Sequence, residues 1–300
     1  MKLDSAKWCR WGVVLGLLLA TPTVWANGAT STREAVRASA ESSLLVKGQI
    51  EILPDGSVAG ITIDHEEVLQ KEIRDFLRNT AAQWKFEPVL VDGQARRAKA
   101  PMSVRLVAKK APGDDNNYQI SIAGASFNEY RPNDPSSLSP VRRTAPSYPE
   151  EAYRSGVSGI VYLLIKVDRD GNADDVVAEQ VNLRGYASEP MMRRFRNVLE
   201  RNAISAVRHW TYRIPSEGPA ANQQFWVVRV PVNYAITESG KEVDKEYGRW
   251  ETYVPGPRAK APWNQQEDAA GFSPDALPDG GVYLAGANTG PKLLTPLSGS

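Results

Sequence analysis

The sequence predicts an α+β fold made of two small domains, each with a helix packed on a small antiparallel sheet of about three strands. Three observations support this prediction. Alternating apolar segments are joined by Asp-Gly dipeptides, which are strong hairpin signals. An apolar stripe with helical spacing follows each hairpin and ends in a Trp-x-aromatic triplet, at Trp84 and again at Trp210. Another strand-type segment follows each triplet, so the same order of elements occurs twice along the 300 residues.

The clearer copy occupies residues 144–240. A Tyr-Pro pair opens it with a short helix, and two glycines then end that helix and start a strand. Residues 160–167 are β-branched, aromatic or leucine almost throughout, which is typical of a buried strand. The turn at Asp170-Gly171 predicts that residues 174–181 return antiparallel to it.

A long helix and a last strand complete this copy. Ser188 is a suitable N-cap for the helix. Residues 225–236 alternate as a strand does, and Pro231 predicts an edge strand because proline cannot donate to a ladder. The apolar stripe of the helix consists of Met192, Phe195, Leu199, Ala203, Ala206 and Trp210.

The first copy, residues 44–110, has the same order but no opening Tyr-Pro helix. A hairpin over residues 44–63 is predicted from two strand-type runs around Pro-Asp-Gly-Ser. Asp64 and Glu67 have the spacing of a capping box, so we expect the helix to begin there. Residues 102–108 are predicted to form its last strand.

The first 26 residues have the pattern of a secretory signal peptide. Basic residues precede a short apolar run, and small residues stand three and one places before a cleavage point after Ala26. An uncleaved anchor is the alternative, but the apolar run is about half the roughly 20 residues that a membrane span needs. Cys9 would be lost on cleavage, which leaves the mature chain without a thiol. Residues 27–43 are expected to be a loose lead-in.

Two further segments have a loop-like composition. Residues 111–143 are rich in Pro, Asn, Asp and Ser and are predicted to be a linker, within which residues 118–122 alternate and could add an edge strand. Residues 241–300 begin with charged, aromatic and proline residues through Trp263, which we expect to pack on their own domain rather than act as a partner motif. From Asn264 the composition predicts a disordered tail.

Catalytic and metal sites are not expected. His65 and His209 are the only histidines, and neither has a second ligand at a metal-binding spacing. The acidic residues around Asp168 could suggest calcium, but Gly171 directly follows Asp170, which favours a hairpin turn over an EF-hand loop. No nucleophile elbow or phosphate loop is present, and a net charge of +1 with mixed signs does not favour nucleic acid. We therefore expect a non-enzyme without cofactor or small-molecule substrate.

In order and spacing, these elements resemble the C-terminal domain of the TonB family, clearly over residues 144–236 and more distantly over residues 44–110. The resemblance implies a periplasmic unit that captures a segment of an outer-membrane transporter by strand pairing. TonB transducers also carry a retained membrane helix and a long proline-rich spacer, and the corresponding segments here lack those features. The residues that carry the resemblance are Tyr148, Pro149, Gly156, Gly159, Asp170, Gly171, Trp210 and Tyr212.

The resemblance places partner binding on the last strand of the second copy. An edge strand offers unpaired N–H and C=O groups to a partner peptide, whose side chains then set specificity. The alternative is that Arg229 and Pro231 only protect this edge from aggregation. The candidate binding residues are Phe225, Trp226, Val227, Val228, Arg229, Val230, Pro231, Val232 and Tyr234.

A cluster of arginines on the long helix is the second candidate. It could steer an acidic partner segment or an anionic membrane surface towards the protein. The alternative is an ordinary solvated helix face. The cluster consists of Arg193, Arg194, Arg196, Arg201 and Arg208.

Three functions follow from these patterns. The leading one is a non-catalytic periplasmic module that binds an outer-membrane transporter or another envelope protein. The second is a transducer anchored by its first apolar run, which the mass of the mature N-terminus would distinguish. The third is a self-associating scaffold, because Ile160, Tyr162 and Leu164 place apolar groups on a second sheet face that needs a cover.

Overall fold

The structure is a computed structural model, and the predicted signal peptide and most of the lead-in lie outside the residues that it describes. The same holds for the beginning of the aromatic segment that follows the second copy. The described residues are 36, 40–111, 114–132, 134–236, 247–265, 267–286 and 290–297.

The first half of the described chain, with one strand from the C-terminal segment, forms the first sheet. The elements are β1 (Glu41–Ile52), β2 (Val58–Ile63), α1 (Lys71–Ala81), β3 (Leu90–Val91), β4 (Gln94–Ala95), β5 (Ala98–Ala111), β6 (Asp114–Ser126) and β12 (Glu251–Tyr253). β5 pairs antiparallel with one side of β1, while β2 and β12 share the other side. β6 pairs with β5 and forms the outer edge.

The second half of the described chain forms the second sheet. The elements are β7 (Ser139–Arg142), α2 (Glu150–Arg154), β8 (Ser158–Val167), β9 (Ala173–Arg184), α3 (Glu189–Val207), β10 (Thr211–Arg213), β11 (Trp226–Tyr234) and β13 (Tyr283–Leu284). The sheet has the order β13-β11-β8-β9, and all its pairs are antiparallel. β7 and β10 pair in a separate two-stranded sheet.

Each sheet carries a helix on one face. The predicted stripe of α3 is buried on the second sheet, except that Val207 rather than Ala206 continues it after Ala203. α1 buries Ile73 and Leu77 on the first sheet, where each contributes about 1.5–3 kcal/mol. The prediction of an α+β fold with antiparallel sheets is confirmed. The sheets have five and four strands rather than about three, because β6 and the C-terminal segment add strands.

A glycine in each hairpin turn lies against the aromatic residue that follows the helix. The Tyr212 N–H donates to the Gly171 carbonyl at 2.7 Å, and the Phe86 N–H donates to the Gly56 carbonyl at 2.8 Å. Both glycines have positive φ, 80° and 82°. A Cβ on either would lie 2.0 Å from the carbonyl oxygen of its aromatic partner, so only glycine fits there.

We expect Gly171→Ala to lower the free energy of unfolding by at least about 2 kcal/mol, because it combines a left-handed backbone with a backbone clash. Urea unfolding followed by tryptophan fluorescence measures the change. Gly93→Ala is a suitable control, since φ is again positive, 73°, but a Cβ there meets no atom within 4 Å. Equal losses for the two variants would contradict the role given to the Tyr212 contact.

The predicted start of the first helix is wrong. Asp64 still belongs to the hairpin, where its N–H donates to the Lys47 carbonyl at 2.9 Å. His65 then adopts a left-handed conformation, and a 3₁₀ turn over Glu66–Val68 ends before α1 begins. The sequence has the Asp-x-x-Glu spacing, but no capping box forms, because the backbone hydrogen bond to Lys47 holds Asp64 in the hairpin and outside the helix.

The linker and the disordered tail also differ from prediction. The segment 111–143 contains β6 and β7, so the strand expected at residues 118–122 is much longer. The described residues from 247 onward form a strap that crosses both sheets. Its apolar residues are few. Leu293 and Leu297 nevertheless lie in the first core, between α1 and the first sheet, and Val282 lies in the second core, between α3 and the second sheet. Composition predicted disorder because the surfaces that cover these residues exist only after folding.

Candidate functional site

The predicted binding strand is β11, which pairs with β8 along its whole length, from Trp226 opposite Val167 to Tyr234 opposite Gly159. Its side chains alternate between two faces, and both faces are buried. The side chains that enter the core under α3 are Trp226, Val228, Val230, Val232 and Tyr234.

The outer edge of β11 is covered by the strap, so the prediction of a free edge is wrong for this structure. β13 pairs with it antiparallel, with Val228 opposite Leu284, and the Ala285 N–H donates to the Val227 carbonyl at 2.8 Å. Further along, the Asn233 amide donates to Asp279 at 2.9 Å. The backbone pairing of β13 spans only two residues, so this cover is short.

The second face of β11 and β8 lies under the strap as well. Ala261 and Ala285 pack with Leu164 and Val227 in a small core of their own. Trp263 packs at its border. Ile160, Tyr162 and Leu164 are all buried within their own chain. The need for a cover, which favoured a scaffold, is met without a second copy.

A buried ion cluster holds the strap on this face. Arg229 lies 2.7 Å from Glu179 and 2.7 Å from Asp268. Arg258 reaches Glu179 at 2.5 Å and also contacts Asp268. Glu179 and Arg229 are 2% and 4% exposed, so their charges depend on one another for compensation. The Arg229 guanidinium also lies 4.6 Å from the centre of the Phe272 ring. Arg229 therefore binds the strap instead of protecting an edge.

A second polar cluster joins the strap to both sheets. The Asn182 amide donates to the Tyr253 hydroxyl at 2.6 Å, and the Tyr253 hydroxyl donates to Asp275. Arg105 of β5 donates to the Asp275 carbonyl at 2.9 Å. Burial, with the nearby charge of Asp275, raises the pKa of Tyr253, so its hydroxyl stays a donor at physiological pH. The strap thereby ties the first sheet to the second.

The residues that carry the family resemblance gather at the ends of the second sheet. Tyr148 donates to the Val157 carbonyl and meets Tyr234 edge-on at 5.6 Å between ring centres. Pro149 caps α2, Gly156 follows it with a φ of 64°, and a Cβ on Gly159 would lie 2.4 Å from the Asn182 carbonyl. The Trp210 indole donates to the Thr144 carbonyl at 2.9 Å.

The arginines of α3 do not form one free surface. Arg193 pairs with Glu189 at 3.2 Å and Arg194 pairs with Glu151 at 2.5 Å. Arg196 donates to the Val181 and Pro255 carbonyls, and burial lowers the pKa of its guanidinium. Arg201 donates to the Asn197 carbonyl. Within the described part of the chain, Arg201 and Arg208 make no ion pair with a carboxylate.

The turn residues considered for calcium form a hairpin turn. Asp168 accepts hydrogen bonds from the N–H groups of Asp170 and Asn172, at 2.9 and 2.8 Å. Across the residues that the structure describes, no group of three or more His, Cys, Asp or Glu is placed to hold a metal. The helices in that same part of the chain are too short or too polar to cross a membrane.

Sequence reasoning missed the strap residues that define this region. Tyr283, Leu284 and Asp268 lie in the segment that composition predicted to be disordered, and Arg258 lies in the Pro/aromatic segment that was expected only to pack on its own domain. The one available signal was the short apolar run from Val282 to Ala285, between Gly281 and Gly286. Four residues are too few for a strand prediction by alternation.

The fold and this site describe an antiparallel α+β protein in which a C-terminal strap covers a strand edge and a sheet face. A comparison with curated proteins places 100 residues at 34% identity to two proteins named Protein TonB, from two strains of Xanthomonas campestris pv. campestris. The similarity covers 33% of this chain and 38% of each relative, so it spans well under half of either protein. No protein family profile matches the chain, and no solved structure matches it.

Proposed function

We propose that this chain is a non-catalytic TonB-type envelope protein that is exported to the periplasm and binds an outer-membrane receptor or another envelope protein. The similarity to Protein TonB is the observation that carries the proposal. The arrangement of α2, the β8–β9 hairpin, α3 and β11 supports it, because it follows the order that the family resemblance implies.

We further propose that the two helix-over-sheet units are divergent copies of one another. The glycine–aromatic contact occurs in both, at Gly56 and at Gly171. The tryptophan after each helix donates its indole N–H to a backbone carbonyl, from Trp84 to Leu297 and from Trp210 to Thr144. The last strand of each unit occupies the same place in its sheet. β5 lies between β1 and β6 in the first sheet, and β11 lies between β8 and β13 in the second.

We place the partner contact along the outer edge of β11. A partner strand there would displace β13, whose backbone pairing with β11 spans only two residues. Phe225, directly before the strand, is 39% exposed, and Asn233 near its end is half-buried, so a partner can reach both ends. Arg201 and Arg208 are the remaining candidates for steering an acidic partner.

A photo-crosslinking amino acid at Phe225 or Asn233 in the full chain, expressed in intact cells, tests this proposal. Val228 and Val230 are unsuitable positions because both side chains are fully buried. We expect both positions to capture an outer-membrane β-barrel receptor, identified by mass spectrometry. Leu90, which is 62% exposed in the first unit, is the control and should not capture it. Equal capture at all three positions, or none, would overturn the proposal.

Weakening β13 should increase this capture. Ala285→Pro removes the N–H that binds the Val227 carbonyl, which costs the strap about 1 kcal/mol. Because the strap competes with the partner, we expect the apparent affinity for the receptor to rise about fivefold. Titration of purified variant and wild-type chains against the captured receptor measures this. An unchanged affinity in a folded variant would mean that the partner binds elsewhere.

A further inference from the structure

The outer edge of β6 is open over most of its described length. On its inner side β6 pairs with β5, with Tyr118 opposite Lys110 and Ile122 opposite Leu106. On its outer side the strap meets it only near the end, where the Ala125 N–H donates to the Gly271 carbonyl at 3.1 Å. Between residues 118 and 123 no second strand among the described residues pairs with it.

The middle of this edge also lacks the usual protection. Residues 118–126 contain no proline, lysine or arginine, and in residues 118–122 aromatic or β-branched side chains alternate with polar ones. Soluble proteins normally blunt such an edge with charge, proline, a bulge or a cover. The two bulges of this pairing lie on either side of that segment, between the pairs of Arg105 and Leu106 and between those of Lys110 and Ala111, and leave residues 118–122 regular.

We propose that the open edge of β6 binds β6 of a second copy of this chain, antiparallel and about a two-fold axis at Ile120. In that register Tyr118 lies opposite Ile122 of the other copy and Gln119 lies opposite its Ser121. Aromatic–aliphatic pairs of this kind stabilise antiparallel strands, and no two residues of like charge lie opposite each other in this register. Ile120 and Ile122 pack at the border of the first core, so the apolar faces of the two sheets become continuous.

The strap sets the length of this pairing. A partner strand that continued past residue 124 would meet Gly271 and Ser273, since the strap already occupies that part of the edge. About five residues from each copy, residues 118–122, can pair in this register. Such an interface is smaller than the roughly 800 Å² per partner of a stable complex, so the dimer should form reversibly and depend on concentration.

Charged substitutions at Gln119 and Ser121, which face each other across the proposed interface, test both the interface and its register. Gln119 is exposed and Ser121 is half-buried, so substitutions there leave the core intact. We expect wild-type chain to dimerise in sedimentation velocity experiments. The double variants Gln119→Lys with Ser121→Lys, and Gln119→Glu with Ser121→Glu, should each remain monomeric. An equimolar mixture of the two should recover the dimer, because opposite charges then face each other.

The control carries the same added charge elsewhere. Leu90→Lys with Val91→Lys places two lysines on the exposed β3–β4 hairpin, and this variant should dimerise as the wild type does. A wild-type chain that stays monomeric at every concentration would overturn the inference. So would a lysine variant that still dimerises, or a mixture that stays monomeric. None of these results depends on the receptor, so the test is independent of the proposed function.

Discussion

Replacing Glu179 with alanine is expected to lower the free energy of unfolding by about 3 kcal/mol. The carboxylate is 2% exposed and accepts hydrogen bonds from both Arg229 and Arg258. Its removal leaves Arg229 buried with Asp268 as its remaining acidic partner, and Arg258 must share that same carboxylate. Guanidinium chloride unfolding of the full chain measures the loss.

The control for this prediction removes both charges of the buried pair. Glu179→Leu with Arg229→Met exchanges two charges for apolar groups of similar size, and we expect it to be more stable than Glu179→Ala alone. Hydrogen exchange in the strap should rise in Glu179→Ala, because Arg258 and Asp268 lose their anchor on the sheet. A loss below about 1 kcal/mol for Glu179→Ala would mean that the cluster does not hold the strap.

Ending the chain after Gly286 is expected to destabilise the first unit by about 4 kcal/mol, although the removed residues come from the far end of the sequence. Leu293 and Leu297 lie in its core at 2% and 9% exposure. The Leu294 N–H donates to the Lys85 carbonyl at 2.7 Å, and the Glu87 N–H donates to the Lys292 carbonyl at 2.9 Å. Hydrogen exchange of α1 amides should therefore increase far more than that of α3 amides.

Two neighbouring leucines provide a matched pair for this prediction. Leu293→Ala should cost about 2–4 kcal/mol because its side chain is buried. Leu294 is 56% exposed, so Leu294→Ala should change stability by less than about 0.5 kcal/mol. Similar losses for both, or truncation that loosens α3 as much as α1, would contradict a specific role of this segment in the first core.

Elements with strong local signals could be predicted well. The hairpin at Asp170-Gly171 needs only its turn residues and the two alternating strands, and α3 needs only its apolar stripe. The start of α1 could not be predicted, since a ladder bond from Asp64 to Lys47 competes with the capping pattern. Family-motif residues such as Tyr148 and Trp210 were identified, but not the strap segment that pairs with β11.

The candidate site was predicted only as a strand. Alternation and Pro231 identify β11 as a strand at the side of a sheet, but they do not say what lies on its outer edge. The sequence around Arg229 does not show whether it protects an edge or forms ion pairs, because its acidic partners Glu179 and Asp268 lie far away in the sequence. Only folding brings those three charges together.

The sequence alone determined the α+β class, the hairpin-helix-strand order of both units and the resemblance to TonB, because turn residues and apolar periodicity act over a few positions. The tertiary structure alone decided which strand edges are open. Tyr283 and Leu284 cover β11, and Leu293 completes the first core, through contacts across long stretches of chain. Backbone hydrogen bonds can form between strands of almost any sequence. A short strand that covers a sheet edge therefore has no distinctive sequence pattern from which it could be predicted.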